Sequence, residues 1–412
     1  MITDILIPSQ NGGFLLGALA IFLSSLSYLV LSQSSHLSSR KAKRAKAMKD
    51  TFISISQQSK DIPNTEATNH APNTMKITQL YIHPIKSLRS LPVSSALLTP
   101  TGFAHDRTFM LLHKQPSGEL KNMHIANYPS MSLFHPSLSP DATKLVIEHR
   151  KPGSLTPSGP NLELDLEPSC SGLEEVKVDM HSSPTTGYNM GAEANDWFSA
   201  RFGFPVILTY WGGNPRAVLG NLPGRPSNEG PKPQSGLTKL LSHIPLIEDY
   251  LKADSNEKIA FNDCFPYLVI SLPSFQNVSS RLPPGASMDI TKFRSNIVVS
   301  TSLPAWDEDL WGSIQFPSSG TEIILTSNCG RCKSLNVDYR TGEHGKTDDV
   351  KVYHRLQKDR RVDQGVKYSP VFGRYGVLGK GGEGVVLRVG DEVRVGERLE
   401  KTTRFYWPGI TN

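Results

Sequence analysis

The residues best equipped for chemistry stand in Thr326-Ser327-Asn328-Cys329-Gly330-Arg331-Cys332-Lys333. Two of the chain's four cysteines are here, with a glycine and an arginine between them. Thiolates are soft ligands suited to soft or high-valent metal centres, and a flanking guanidinium lowers a thiol's pKa and draws anions. The alternating run Glu322–Leu325 precedes this stretch and Leu335-Asn336-Val337-Asp338 follows it, a pattern that reads as strand, tight turn, strand. Three other readings stand beside a metal- or anion-binding turn. Half of a zinc site needs a second ligand pair, and Cys170 and Cys264 are remote in sequence. A thioredoxin-type pair opens a helix, and no helical period follows here. Buried, inert thiols need no ligand at all. A single thiolate ligand is the reading carried forward.

More polar groups fall at the ends of apolar runs. Lys86-Ser87 closes the first run, Asp106-Arg107 opens another, Asp263 sits just before Tyr267–Ser271, and Arg294-Ser295-Asn296 begins Ile297-Val298-Val299. Taken singly, each is an ordinary solvated strand-end charge. Lys86, Arg107, Arg294 and Arg331 together could converge on a bound phosphate, which guanidinium groups grip through paired hydrogen bonds. Buried without partners, they would be costly.

The elements that must position these groups are mostly strands. Lys76–Ile82 alternates as a half-buried strand does and stops at Pro84. Further short strands are expected at Ala96–Leu98, Thr108–Leu112, Leu145–Ile147, Tyr267–Ser271, Ser295–Ser300, Glu322–Thr326, Ser334–Val337, Tyr375–Leu378, Val385–Val389 and Val393–Val395. Ala194, Trp197, Phe198 and Phe202 have helical spacing before a stopping Gly203, and a second short helix is expected over Thr238–Tyr250. Short strands at close intervals predict barrels or curled sheets. Gly379-Lys380-Gly381-Gly382-Glu383-Gly384 fits G-x-G-x-x-G as a string. A strand-like run follows it where dinucleotide binding needs a helix, so it is expected to be a hairpin loop.

With 412 residues, 30 prolines, 33 glycines and 8% aromatics, the chain is expected to hold two domains rich in strands and loops. Four cysteines make no disulfide framework. The net charge of +6 is local: Arg40, Lys41, Lys43, Arg44, Lys46 and Lys49 supply it, and residues 50–412 carry a net of only +1. Nucleic acid is therefore not expected as the primary partner. Residues 13–31 form an uncharged apolar run long enough, at 1.5 Å per residue, to cross a hydrocarbon core of about 30 Å. The basic cluster lies after it, so the chain is expected to be membrane-anchored with its body in the cytosol. The expected layout is an anchor in 1–39, a basic flank and tether in 40–74, a first domain in 75–211, a junction in 212–236, a second domain in 237–400 and a tail in 401–412.

Several of these motifs, in order, resemble a known family. Tyr81-Ile82-His83-Pro84-Ile85-Lys86-Ser87 with Gly102 and Asp106-Arg107 resembles the N-terminal β-barrel domain that accompanies MOSC domains. Phe261…Phe265-Pro266, Phe293-Arg294-Ser295-Asn296, Glu308-Asp309-Leu310-Trp311, Cys329-Gly330-Arg331-Cys332 and Ser369…Tyr375 resemble the MOSC domain itself. By layout the resemblance is to the mitochondrial amidoxime-reducing components. It implies a mainly β fold with some α: a MOSC β-barrel core and an N-terminal β-barrel-like domain, preceded by one transmembrane helix. It also implies a molybdenum cofactor whose protein ligand is Cys332. Lys86, Ser87, Arg107, Arg294, Asn296 and Arg331 would then surround its phosphate and pterin, with Asp263 near the metal for water or protons. The implied activity is reduction of amidoximes, hydroxylamines and N-hydroxylated bases, with electrons from cytochrome b5 and an NADH-dependent cytochrome b5 reductase. The outer mitochondrial membrane is favoured over the endoplasmic reticulum. A carrier of sulfur or molybdenum cofactor, as in the MOSC part of cofactor sulfurases, is the rival, though no pyridoxal-dependent desulfurase domain is attached. The sequence departs from the family pattern at Ser295, Gly330, Asn127 and Cys264, which bears on the pocket and the phosphate grip.

Overall fold

The computed structural model describes residues 75–223, 257–286, 288–347 and 351–411. The apolar run 13–31 and the expected helix Thr238–Tyr250 lie outside these residues. Among the described residues, no helix is long and apolar enough to cross a membrane. The architecture is mainly β and contains a barrel, as the short, closely spaced strands predict.

The barrel is built from both ends of the chain. Its strands run in the order Ile297–Ser300, Tyr267–Ser271, Val371–Leu378, Thr321–Gly330, Trp311–Phe316, Glu392–Arg398 and Met75–Ile82, with Leu91–Val93 at the edge. Met75–Ile82 also pairs with Ile297–Ser300, Leu80 opposite Ile297, and this closes the ring. The first strand of the described chain is thus a stave among strands drawn from the second half. Ile77 and Leu80, three residues apart, both reach the core because the pairing shifts register between Ile77 and Gln79. Tyr267–Ser271 pairs parallel with Ile297–Ser300, and the connection runs through the helix Leu272–Ser279, as a parallel crossover requires.

Residues 109–210 carry a second, five-stranded antiparallel sheet: Glu175–Met180, Ser183–Asn189, Val206–Tyr210, Phe109–Lys114 and Leu120–Asn122. The sheet curls until its two edges meet, where Asn122 Nδ2 donates to the Asp179 carbonyl at 2.7 Å. The helix Ala192–Phe202 forms where its spacing predicts. It buries Ala194 and Phe198 and ends at Gly203, whose φ of 79° lets its N–H close on the Ser199 carbonyl. Phe261, from the second half, is buried among Met110, Leu112, Val176, Val178 and Met180 of this sheet, so the two halves share core.

Two sequence expectations need correction. Ser334–Val337 is not a strand: Lys333–Asn336 is a turn of 3-10 helix, and only Val337–Asp338 pairs with a neighbour. Gly379–Gly384 is a loop followed by a strand, as expected, but not a hairpin. Val371–Leu378 pairs with Thr321–Gly330, whereas Val386–Arg388 pairs with Ser95–Thr99, so the loop crosses between sheets.

Candidate functional site

The chemistry-bearing residues meet along the seam between the halves. Asp106 is the hub. Its Oδ1 accepts from the His83 backbone N–H at 2.7 Å and lies 3.2 Å from His83 Nδ1. Its Oδ2 accepts from Asn296 Nδ2 at 3.0 Å and pairs with Arg107 Nη1. Burial alone would raise this carboxyl's pKa; the Arg107 guanidinium and the His83 bonds instead hold it below the usual carboxylate range. Arg107 continues to the Arg294 carbonyl at 3.1 Å, and Arg331 Nη2 donates to the neighbouring Phe293 carbonyl at 2.8 Å. Arg107 from the first half and Arg331 from the cysteine-bearing stretch therefore hold adjacent peptide carbonyls.

Lys86 is buried, donates to the Phe261 carbonyl at 3.1 Å and pairs with Asp263. Burial lowers its pKa, and Asp263 partly offsets that. Asp263 is open, its side chain 56% exposed, with Lys86 on one side and His181 Nε2 at 3.9 Å on another. The charge of Lys86, with His181 and His124 nearby, holds its carboxyl well below the usual carboxylate range. Arg294 donates to the Leu88 carbonyl at 2.6 Å; burial, followed by its neighbour Arg107, brings its pKa down to about 10.

The backbone here is held in a costly form. Ser87, His105, Arg107 and Arg294 all have φ between 54° and 68°, the left-handed region that favours glycine. Such conformations cost on the order of 1 kcal/mol or more each and collect at functional sites. Except at His105, a type enriched at positive φ, nothing in the residue types announces them, because none is Gly, Asn or Asp.

Cys329 and Cys332 separate into different surroundings. The strand Thr321–Gly330 shifts register against Val371–Leu378 twice, once between Leu325 and Ser327 and once between Asn328 and Gly330. Bulges of this kind re-aim side chains, and burial here is continuous from Leu325 to Cys329. Cys329 is buried with its sulfur 2.9 Å from Arg331 Nη1. Cys332 is exposed at the start of the 3-10 turn, its sulfur 3.0 Å from Ser334 Oγ. Fully buried Arg374 braces the strand beneath by donating to Asn328 Oδ1 at 2.7 Å, and Asn328 Nδ2 donates to Asp363 Oδ2 at 2.9 Å. Asp363 in turn accepts the Phe405 N–H, which pins the C-terminal tail.

The structure thus joins Lys86 to Asp263 and Arg107 to Arg294, and reaches Asn296 through Asp106. Arg331 links this cluster to the cysteines, and Cys332 stands exposed at its end. Sequence reasoning passed over His83, Arg216 and His181. The signal for the last was available: His181-Ser182 separates two alternating runs at a place where Asn-Gly would make an unstrained two-residue turn.

Four cations, Lys86, Arg107, Arg294 and Arg331, face two carboxylates, Asp106 and Asp263. Arg331 Nε and Arg294 Nη2 are buried with no hydrogen-bond partner among the described residues. A seam with surplus positive charge and unused donors suits an anionic group, and an exposed thiol beside it suits a soft metal. The residues therefore fit a phosphorylated metal cofactor. Among the described residues, no group of three or more His, Cys, Asp or Glu is placed to hold a metal ion by itself.

Comparison with known proteins agrees in kind. Residues 74–205 match the family described as the MOSC N-terminal beta barrel domain, and residues 256–394 match the MOSC domain. Mitochondrial amidoxime reducing component 2 of Macaca fascicularis is 27% identical over 331 residues, covering 77% of this chain and 82% of that protein. Mitochondrial amidoxime-reducing component 1 of Homo sapiens is 25% identical over the same shares. Molybdenum cofactor sulfurase of Solanum lycopersicum is 24% identical over 278 residues, 65% of this chain and 29% of that protein.

Proposed function

The chain is a MOSC-domain protein in which a MOSC N-terminal β-barrel domain precedes the MOSC domain, and from that premise we propose that it is a molybdenum-cofactor oxidoreductase that reduces N-hydroxylated compounds. The observation that carries this reading is the exposed Cys332 thiol at the end of a cationic seam with unused guanidinium donors. Cys332 would be the protein ligand to the metal. Lys86, Ser87, Arg107, Arg294, Asn296 and Arg331 would hold the pterin and phosphate, with Asp263 beside the reacting group. When bound, the cofactor supplies two-electron abstraction of oxygen. The protein's own part is to seat the anion, to fix the thiol on a bulged strand and to hold a carboxylate ionised by Lys86.

The similarity to amidoxime-reducing components supports amidoximes, hydroxylamines and N-hydroxylated bases as substrates. Cytochrome b5 and an NADH-dependent cytochrome b5 reductase are the proposed electron donors. We also propose that the apolar run 13–31 anchors the protein in the outer mitochondrial membrane, rather than the endoplasmic reticulum, with the body in the cytosol. Fractionation and protease protection check that placement.

The test is metal analysis of protein expressed with cofactor supply, followed by turnover of benzamidoxime with NADH and the two donor proteins. Bound molybdenum and amidoxime loss are expected. Replacing the exposed thiol by Cys332→Ser should abolish turnover while shifting stability by no more than about 0.5 kcal/mol. A metal-loaded protein with no turnover would overturn the enzyme reading. That outcome belongs to the second reading, a cofactor or sulfur carrier with no substrate of its own, which the similarity to the sulfurase favours.

A further inference from the structure

We propose that His181 is a proton donor of this site, working beside Asp263; the inference rests on the reductase reading above. His181 and Ser182 form the two-residue turn between Glu175–Met180 and Ser183–Asn189, closed by the pair Met180–Ser183. Both have positive φ, 56° and 61°. A hairpin of this kind is made without strain by Asn-Gly, so His and Ser are held here against backbone preference.

The turn is bolted in place from two sides. Arg216 is fully buried and donates to the carbonyls of Met180 at 2.8 Å and Ser183 at 3.3 Å, on either side of the turn. The same guanidinium donates to the carbonyls of Ala260 at 3.1 Å, Asn262, and Asp263 at 3.4 Å. One side chain thus ties the hairpin tip to the segment that carries Asp263. On the other side, Trp407 Nε1 donates to the His181 carbonyl at 2.8 Å. Trp407 lies in the tail, beyond the last residue of the matched MOSC domain. The result aims His181 Nε2 at Asp263 Oδ1, 3.9 Å away, while the imidazole keeps 34% exposure to the open side. Among the described residues, Lys86, His124, Arg216, Arg294, Cys264 and Tyr375 are other charged or titratable groups within electrostatic reach of Asp263. Burial, then the charge of Lys86, brings His124 down to about 4, so it is neutral near pH 7.

Converting N–OH to N–H with release of water takes up two electrons and two protons. The two electrons would come from the molybdenum cofactor when it is bound, replenished by the donor protein. One proton passes from Nε2 of the His181 imidazolium to the departing oxygen as the N–O bond breaks, leaving the neutral imidazole, and the half-open ring regains the proton from solvent. The other reaches the substrate nitrogen from solvent.

The test compares wild type, His181→Gln and Asp263→Asn. With wild type turning over benzamidoxime, His181→Gln is expected to retain full molybdenum content. Its kcat should fall on the order of 100-fold with KM little changed, and the alkaline limb of the kcat/KM profile should disappear. In cofactor-free protein, two-bond 15N–1H spectra should show His181 as the Nε2–H tautomer in wild type and as a mixture in Asp263→Asn. A wild-type rate and pH profile in His181→Gln overturns the donor role, and a tautomer unmoved by Asp263→Asn overturns the pairing. If loaded wild type itself is inactive, the reductase reading fails and takes the donor role with it, while the tautomer spectra still decide the pairing.

Discussion

Asp106 carries more of the site than any residue with an assigned role, since His83, Arg107 and Asn296 all depend on its two oxygens. The consequence is a pH dependence of folding. His83 is fully buried; burial, followed by the charges of Arg107 and Arg294, pushes its pKa down to about 3, and its Nε2 has no hydrogen-bond partner among the described residues. An unfolded histidine takes up its proton near pH 6.5. Between those values the unfolded chain binds more protons than the folded one, so stability is present above about pH 6.5 and falls as pH drops toward 3. The slope from one such group reaches about 1.4 kcal/mol per pH unit. The Asp106 carboxyl, held low by Arg107, extends the loss into stronger acid. Urea unfolding at pH 7 and pH 5 should show wild type losing stability and His83→Gln losing less; equal losses would sink the argument. The Lys86–Asp263 pair makes a second prediction, for cofactor-free protein. Asp263→Asn strands a buried ammonium, whereas Lys86→Met leaves an open carboxylate that water can solvate. Calorimetry should therefore find Asp263→Asn the more destabilising, by about 3 kcal/mol.

The element that decides the geometry of the cysteines is the strand Thr321–Gly330. Its register shifts and the Arg374–Asn328–Asp363 chain put Cys329 inside and leave Cys332 out. Asp363 passes that restraint to the tail, and Gly365 allows it: a Cβ there would lie 1.8 Å from the Phe405 carbonyl oxygen. Gly365→Ala should push the tail off at a cost on the order of 2 kcal/mol. Trypsin should then cut at Arg404, next to Phe405, in the variant and not in wild type; a protected tail in the variant would refute this. The elements were unevenly legible. Tyr267–Ser271 has the bounds expected of it, and the helix Ala192–Phe202 contains the spaced residues and stops at Gly203 as expected, because a continuous apolar run and a 3.6-residue spacing are signals internal to the segment. Lys333–Asn336 was misread because a four-residue 3-10 turn is too short to show a period. Val371–Arg374 went unassigned as strand because Gly373 interrupts the pattern, although it sits in the ladder with a φ of 86°.

At the scale of the molecule, the site exists because the chain closes on itself. Met75–Ile82 completes a barrel made of later strands, and Phe261 fills the core of the earlier sheet. Arg216 fastens the same seam from within. Arg216→Met removes the donor to carbonyls of Met180, Ser183, Ala260, Asn262 and Asp263 at once. The expected loss is at least about 3 kcal/mol, read by denaturant unfolding, and a loss under 1 kcal/mol would show the seam to be held otherwise. The sequence by itself determined the inventory and the local forms: a thiol pair flanking an arginine, cations at strand ends, short alternating strands, one well-spaced helix. Residue type and near-neighbour spacing are enough for those. Only the tertiary structure decided which of them meet. The contacts of Lys86 with Asp263, Asp106 with Asn296 and Arg107 with Arg294 each span well over a hundred residues. Barrel closure sets such pairings, and no local pattern encodes which strands will lie side by side.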